Sequence, residues 1–98
     1  MSINVELLSE FARKYIWWKT PEEAVRQPDR IVSQVMNIGD FEDVQLLVRE
    51  AGLPYMRDVL SRAEAGQFEA NSWAYWHYRL GLSEEPGDVP PLPERRVA

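Results

Sequence analysis

Eleven residues near the C-terminus, SWAYWHYRLGL (Ser72 to Leu82), hold two tryptophans, two tyrosines and the only histidine of this 98-residue chain. Two chemistries suit those residue types. Flat aromatic faces can stack on bases or sugars, and an imidazole can act as acid or base near neutral pH. Stacking on nucleic acid comes with a positive groove, and Arg79 is the one cation in this segment. Proton transfer needs an orienting carboxylate and a nucleophile or substrate proton within reach. No serine-elbow or histidine–acid motif accompanies His77. At helical spacing Trp73, Trp76, His77 and Leu80 share one face, while Tyr75, Tyr78 and Arg79 turn roughly the other way. The pattern therefore favours a core-filling face backed by an outer ring surface, with His77 a buried, hydrogen-bonded residue.

The remaining candidates divide in the same way. In Ile16-Trp17-Trp18, at the end of a helix, three successive bulky side chains cannot all point inward. The alternatives are a partner surface, where exposed apolar clusters and tryptophan anchors are common, or internal packing against the last helix. The run GDFEDVQ offers Asp40, Glu42 and Asp43 to a cation, but it lacks the regular oxygen series of a calcium loop. Acids also favour the first turn of a helix for its dipole. With no cysteine and one histidine, no metal centre, cysteine nucleophile or disulfide is expected. Read as helix-turn-helix, MNIGDFEDVQ would present Glu42, Asp43 and Glu50 to phosphates, which argues against DNA binding. VPPLPERR fits a P-x-x-P frame followed by arginines. The expected partner-binding residues are Trp17, Trp18, Tyr75, Tyr78 and Arg79, with no catalytic, cofactor or metal residue.

Helices must position all of these. Leu7, Leu8, Phe11, Ala12 and Tyr15 line a helix from about Asn4 to Tyr15, with Asn4 or Ser2 as its cap. Thr20, Pro21 and Glu23 read as cap, first helical residue and capping box of a short second helix. Pro28 opens the next, with Ile31, Val32, Val35 and Met36 inward and a left-handed stop expected at Gly39. Asp40 caps a helix lined by Phe41, Val44, Leu47, Val48 and Ala51, ending at Gly52. Leu53-Pro54 starts a helix with Met56, Val59, Leu60 and Ala63 inward and Gly66 at its end. Asn71 or Ser72 caps the aromatic helix, which stops at Gly81. The expected fold is all-α: a compact single-domain array of about five to six short helices over residues 1–82. Residues 83–98, rich in proline, form an extended tail that buries too little to order itself.

The net charge is −5. The first thirty residues balance, whereas the rest carries an acidic excess. A nucleic-acid or anionic-membrane partner would call for a basic footprint instead. There is no secretory apolar core at the N-terminus, and no run approaches the ~18 apolar residues of a membrane span. A cytoplasmic protein is expected. A core this small also favours self-association, a homo-oligomer.

PDRIVSQVMNIGDFEDVQLL followed by SWAYWHYRLGL resembles a family of short bacterial all-helical proteins. The matching positions are Trp18, Pro21, Glu22, Ala24, Arg30, Gln34, Val35, Met36, Gly39, Glu42, Asp43, Trp73, Trp76, Leu80 and Gly81, spanning roughly Ile16 to Leu82. Members of that family are often encoded beside abortive-infection-type nucleotidyltransferase toxins. The resemblance implies a protein partner of that kind and an antitoxin or accessory role, through gene neighbourhood. It carries over no catalytic residue. The leading expectation is thus a non-enzymatic protein-interaction domain. The alternative, a nucleic-acid-associated regulator, requires Arg13, Lys14, Lys19, Arg26 and Arg30 to gather on one face. An enzyme would need a concave pocket around His77 with a carboxylate at hydrogen-bonding distance.

Overall fold

Side-chain caps and prolines set where the helices start. In the computed structural model, which describes residues 3–94, the first helix α1 is Val5–Tyr15, and Asn4 accepts the Leu7 N–H at 2.7 Å. Thr20 does the same for Glu23 at the head of α2 (Pro21–Ala24), and Asp40 for Asp43 at the head of α4 (Phe41–Ala51). Pro21 and Pro28 occupy first helical positions of α2 and α3 (Pro28–Ile38), where a missing N–H costs nothing. Pro54 sits in the first turn of α5 (Leu53–Ser61). The last helix, α6, is Ala70–Arg79, followed by a 3₁₀ turn at Pro86–Asp88.

The protein is a single all-α domain built around α3, against which every other helix packs. Ile31, Val32 and Val35 of α3 are inaccessible to solvent. They meet Leu8, Phe11 and Ala12 of α1, Leu47 of α4, Met56 and Leu60 of α5, and Trp76 and Leu80 of α6 in one continuous core. None of the helices is long and apolar enough to cross a membrane, and there is no strand among the described residues.

The C-terminus of α3 is closed by side chains from elsewhere. Its last carbonyls lack intrahelical donors, as at any helix end. Trp76 donates its indole N–H to the Met36 carbonyl (2.7 Å), and Ser72 donates its hydroxyl to the Asn37 carbonyl (2.9 Å). Asn37 in turn accepts the Glu69 N–H on its side-chain oxygen (2.9 Å). Arg57 of α5 closes the end of α6 by donating to the Leu80 carbonyl at 2.8 Å.

Four local expectations need correcting. Gly39 is extended (φ −65°, ψ 149°) and not left-handed. Glycine is demanded there by proximity, since a Cβ would lie 2.4 Å from the Val35 carbonyl oxygen. Glu69, not Asn71 or Ser72, precedes α6, and Ser72 is spent on Asn37 instead. Of the expected inner face of α4 only Leu47 is fully buried, and Phe41 points outward. Helix α5 stops at Ser61, before Ala63 and Gly66.

From Ser83 to Glu94 the chain has no regular structure apart from its 3₁₀ turn, and it lies against the domain. Trp73 donates its indole N–H to the Pro90 carbonyl at 2.7 Å, and Val89 and Leu92 pack on the core. Composition alone did not show these contacts. Arg95 and Arg96 of the P-x-x-P frame lie outside the described residues.

Candidate interaction surface

Helix α6 divides its aromatic residues between inside and outside. Trp73, Trp76 and His77 are buried, and Tyr75, Tyr78 and Arg79 are exposed. The Arg79 guanidinium lies 5.2 Å from the Trp76 ring centre and donates to the Tyr75 hydroxyl at 3.0 Å. These contacts hold an amphipathic strip in place, with a cation lying over its rings.

His77 faces the Trp73 ring at 4.4 Å between centres, and its Nδ1 lies 2.7 Å from the Trp73 carbonyl. A carbonyl only accepts, so Nδ1 carries a proton. Among the described residues no carboxylate hydrogen-bonds to this imidazole.

In Ile16-Trp17-Trp18 only the isoleucine goes inside. Trp17 is 78% exposed and Trp18 54%, and their rings pack edge to face at 5.2 Å. The break between α1 and α2 projects both indoles from the body, because Ile16 has taken the one inward direction. Trp18 rims a cleft of about 350 Å³ between α3 and the 64–67 turn, whose other walls include Ile31, Gln34, Lys19 and Arg30.

The five expected partner residues therefore form two groups and not one patch. Tyr75 and Arg79 line a separate groove with Phe41 and Val44 of α4, and among the described residues no ring contact joins them to Trp17 or Trp18. Phe41 was missed as a surface residue. It is 76% exposed although its spacing to Val44 and Val48 fits an inward stripe. Its position directly after the Asp40 cap was the available signal, since the first residue of a helix can overhang the core.

Two polar ties also escaped sequence reading. Lys14 bridges Asp40 (3.2 Å) and Asp43 (2.7 Å), while Tyr15 donates to Asp43 and accepts the Asp40 N–H (3.2 Å). The positive charge that GDFEDVQ holds is thus the Lys14 ammonium. Hydrogen bonds to the two carboxylates raise the Lys14 pKa, burial followed by the Asp43 contact raises that of Tyr15, and the Asp43 N–H followed by Lys14 lowers that of Asp40. Across the molecule Asp29 accepts from Tyr55 and from Arg62 (2.8 Å). Burial pushes the Asp29 carboxyl up, but these two donors outweigh it and its pKa falls. Burial, then Asp29, drives the Tyr55 phenol well above its ordinary range. Both ties join an aspartate in a helix's first turn to a tyrosine of another helix and a cation in or just after that helix.

Of the five N-terminal cations, Lys14 is held against α4, Arg30 pairs with Glu64 at 3.1 Å and borders the Trp18 cleft with Lys19, and Arg26 lines an adjoining groove with Arg30 and Arg62. No protein-family model, curated protein or solved structure matches this chain.

Proposed function

We propose that this protein is a non-enzymatic interaction domain, specifically an antitoxin-like or accessory partner of a nucleotidyltransferase-type toxin in the cytoplasm. The observation that carries the interaction reading is the Trp17–Trp18 pair, two indoles in mutual contact on a loop with most of Trp17 in water. Each large ring covered by a partner removes roughly 150–250 Å² from water, and tryptophan recurs among interface anchors. Phe41 with Tyr75 and Arg79 supplies a second apolar contact area. The acidic excess suits a partner whose substrate site is basic. The toxin identity rests on the family resemblance alone.

Affinity purification from the native host tests this reading. The wild-type chain should retain a nucleotidyltransferase, and Trp17→Ser with Trp18→Ser should release it at an unchanged circular dichroism spectrum. Recovery of RNA or DNA in place of a protein would favour the nucleic-acid alternative and end the proposal. Retention undiminished by the double substitution would remove the indole pair from the interface.

A further inference from the structure

The proline-rich run after α6 takes no part in the Trp17–Trp18 surface, yet its seat is specific. Gly81, with φ +72°, ends α6 in a left-handed turn, and Leu82 donates back to the His77 carbonyl at 2.9 Å. This reversal folds the chain back over the helix it has just left. Ser83 is buried and ties its hydroxyl to the Asp88 carbonyl at 3.2 Å, and the 3₁₀ turn delivers Val89 to Leu92 along the α5–α6 face. There the Trp73 indole meets the Pro90 carbonyl at 2.7 Å. Leu60, His77 and Leu82 form the walls.

Each part of this arrangement matches how proline-rich segments are gripped in general. Pro90 precedes Pro91, so its backbone is confined to extended conformations. An extended proline helix has no internal hydrogen bonds, which leaves its carbonyls free for an outside donor. An aromatic-lined groove supplying an indole N–H is the matching receptor. We propose that the face around Trp73 is a receptor for extended proline-rich segments, occupied in cis by Val89 to Leu92, and that its partner is a foreign protein segment of the kind apolar-Pro-Pro-apolar with basic flanks.

Two arguments favour a foreign segment over a second copy. The resident segment is tethered, at an effective concentration on the order of millimolar, and an identical segment from another copy would gain no contact by replacing it. The run from Ser83 onward also carries Glu84, Glu85, Asp88 and Glu94 against Arg95 and Arg96, a net charge of −2 on a chain already acidic. A segment flanked by lysine or arginine replaces that repulsion with attraction.

The test uses the full-length chain with a synthetic peptide, KKVPPLPKK, and follows the Trp73 indole N–H resonance, assigned by Trp73→Phe. Val89→Asp with Leu92→Asp weakens the resident segment without touching the groove, and Pro90→Gly with Pro91→Gly does so independently. The peptide should bind either variant at least tenfold more tightly than wild type and shift the Trp73 resonance. Adding Trp73→Phe should weaken that binding at least tenfold, and KKVAALAKK should not bind. Failure of the peptide to bind either variant, or equal binding of the alanine peptide, would refute the receptor. Loss of the helical spectrum in both variants would make the segment a structural clasp and overturn the proposal. A wild-type dimer held by exchanged segments that the peptide cannot dissociate would assign the face to a second copy instead.

Discussion

Replacing Trp76 by phenylalanine isolates what the inner aromatic face of α6 does. Trp76 is 1% exposed and donates to the Met36 carbonyl at 2.7 Å. In a continuing helix that carbonyl would accept the Asp40 N–H, but the Asp40 N–H is directed to the Tyr15 hydroxyl. Phenylalanine removes this donor, the one the described residues supply, and leaves a buried carbonyl unpaired, costing about 1–3 kcal/mol. The smaller ring also vacates roughly one or two methylenes of packed volume, about 1 kcal/mol more. A loss of about 2–4 kcal/mol is large against the ~5–15 kcal/mol that holds such a domain together. In a chain of this length it lowers Tm by roughly 10–20 °C. Thermal and urea melts followed by circular dichroism measure it. Trp17→Ser is the matched control: with its ring 78% exposed, it should change stability by no more than about 0.5 kcal/mol. A Trp76→Phe variant within 1 kcal/mol (about 5 °C) of wild type, or a Trp17→Ser variant equally damaged, would refute the division of rings into inner mortar and outer surface.

Three further outcomes follow from single contacts. Gly39→Ala places a methyl 2.4 Å from the Val35 carbonyl oxygen and should cost about 1–3 kcal/mol in urea unfolding. Gly87→Ala, which meets nothing within 4 Å, should be neutral by the same assay. Removing the donor that closes α6, by Arg57→Ala, should cost about 1–2 kcal/mol and raise amide exchange in the last turn of that helix. Stability should also fall in acid, because the Asp29 and Asp40 carboxyls titrate below their ordinary value in the folded chain. Their contribution is complete above the unfolded pKa of about 4 and drains away as pH drops through the lower folded values. Asp29→Asn should therefore shrink the difference between urea midpoints at pH 7 and pH 3, and an undiminished difference would exclude the Asp29–Tyr55–Arg62 tie as a source.

The amino-acid sequence by itself determined the local half of this protein. Caps at Asn4, Thr20 and Asp40 and prolines at helix starts act within four residues of where they stand, so they were legible without any knowledge of packing. Helical period likewise sorted Trp73, Trp76, His77 and Leu80 from Tyr75, Tyr78 and Arg79, and crowding required that part of Ile16-Trp17-Trp18 be turned out. Only the tertiary structure decided which groups meet across the chain. Trp76 with Met36, Lys14 and Tyr15 with Asp43, and Trp73 with Pro90 are separated by 40, 29, 28 and 17 residues. A period names the face a side chain occupies but not the neighbour that face will find. Gly39 was misread for the same reason, as its need for a bare Cα comes from how closely the chain turns past Val35 to start α4. Phe41 followed a valid stripe that runs one turn beyond the core. Where the partner is distant in sequence, only the assembled fold fixes the contact, because it depends on how several helices divide the available space.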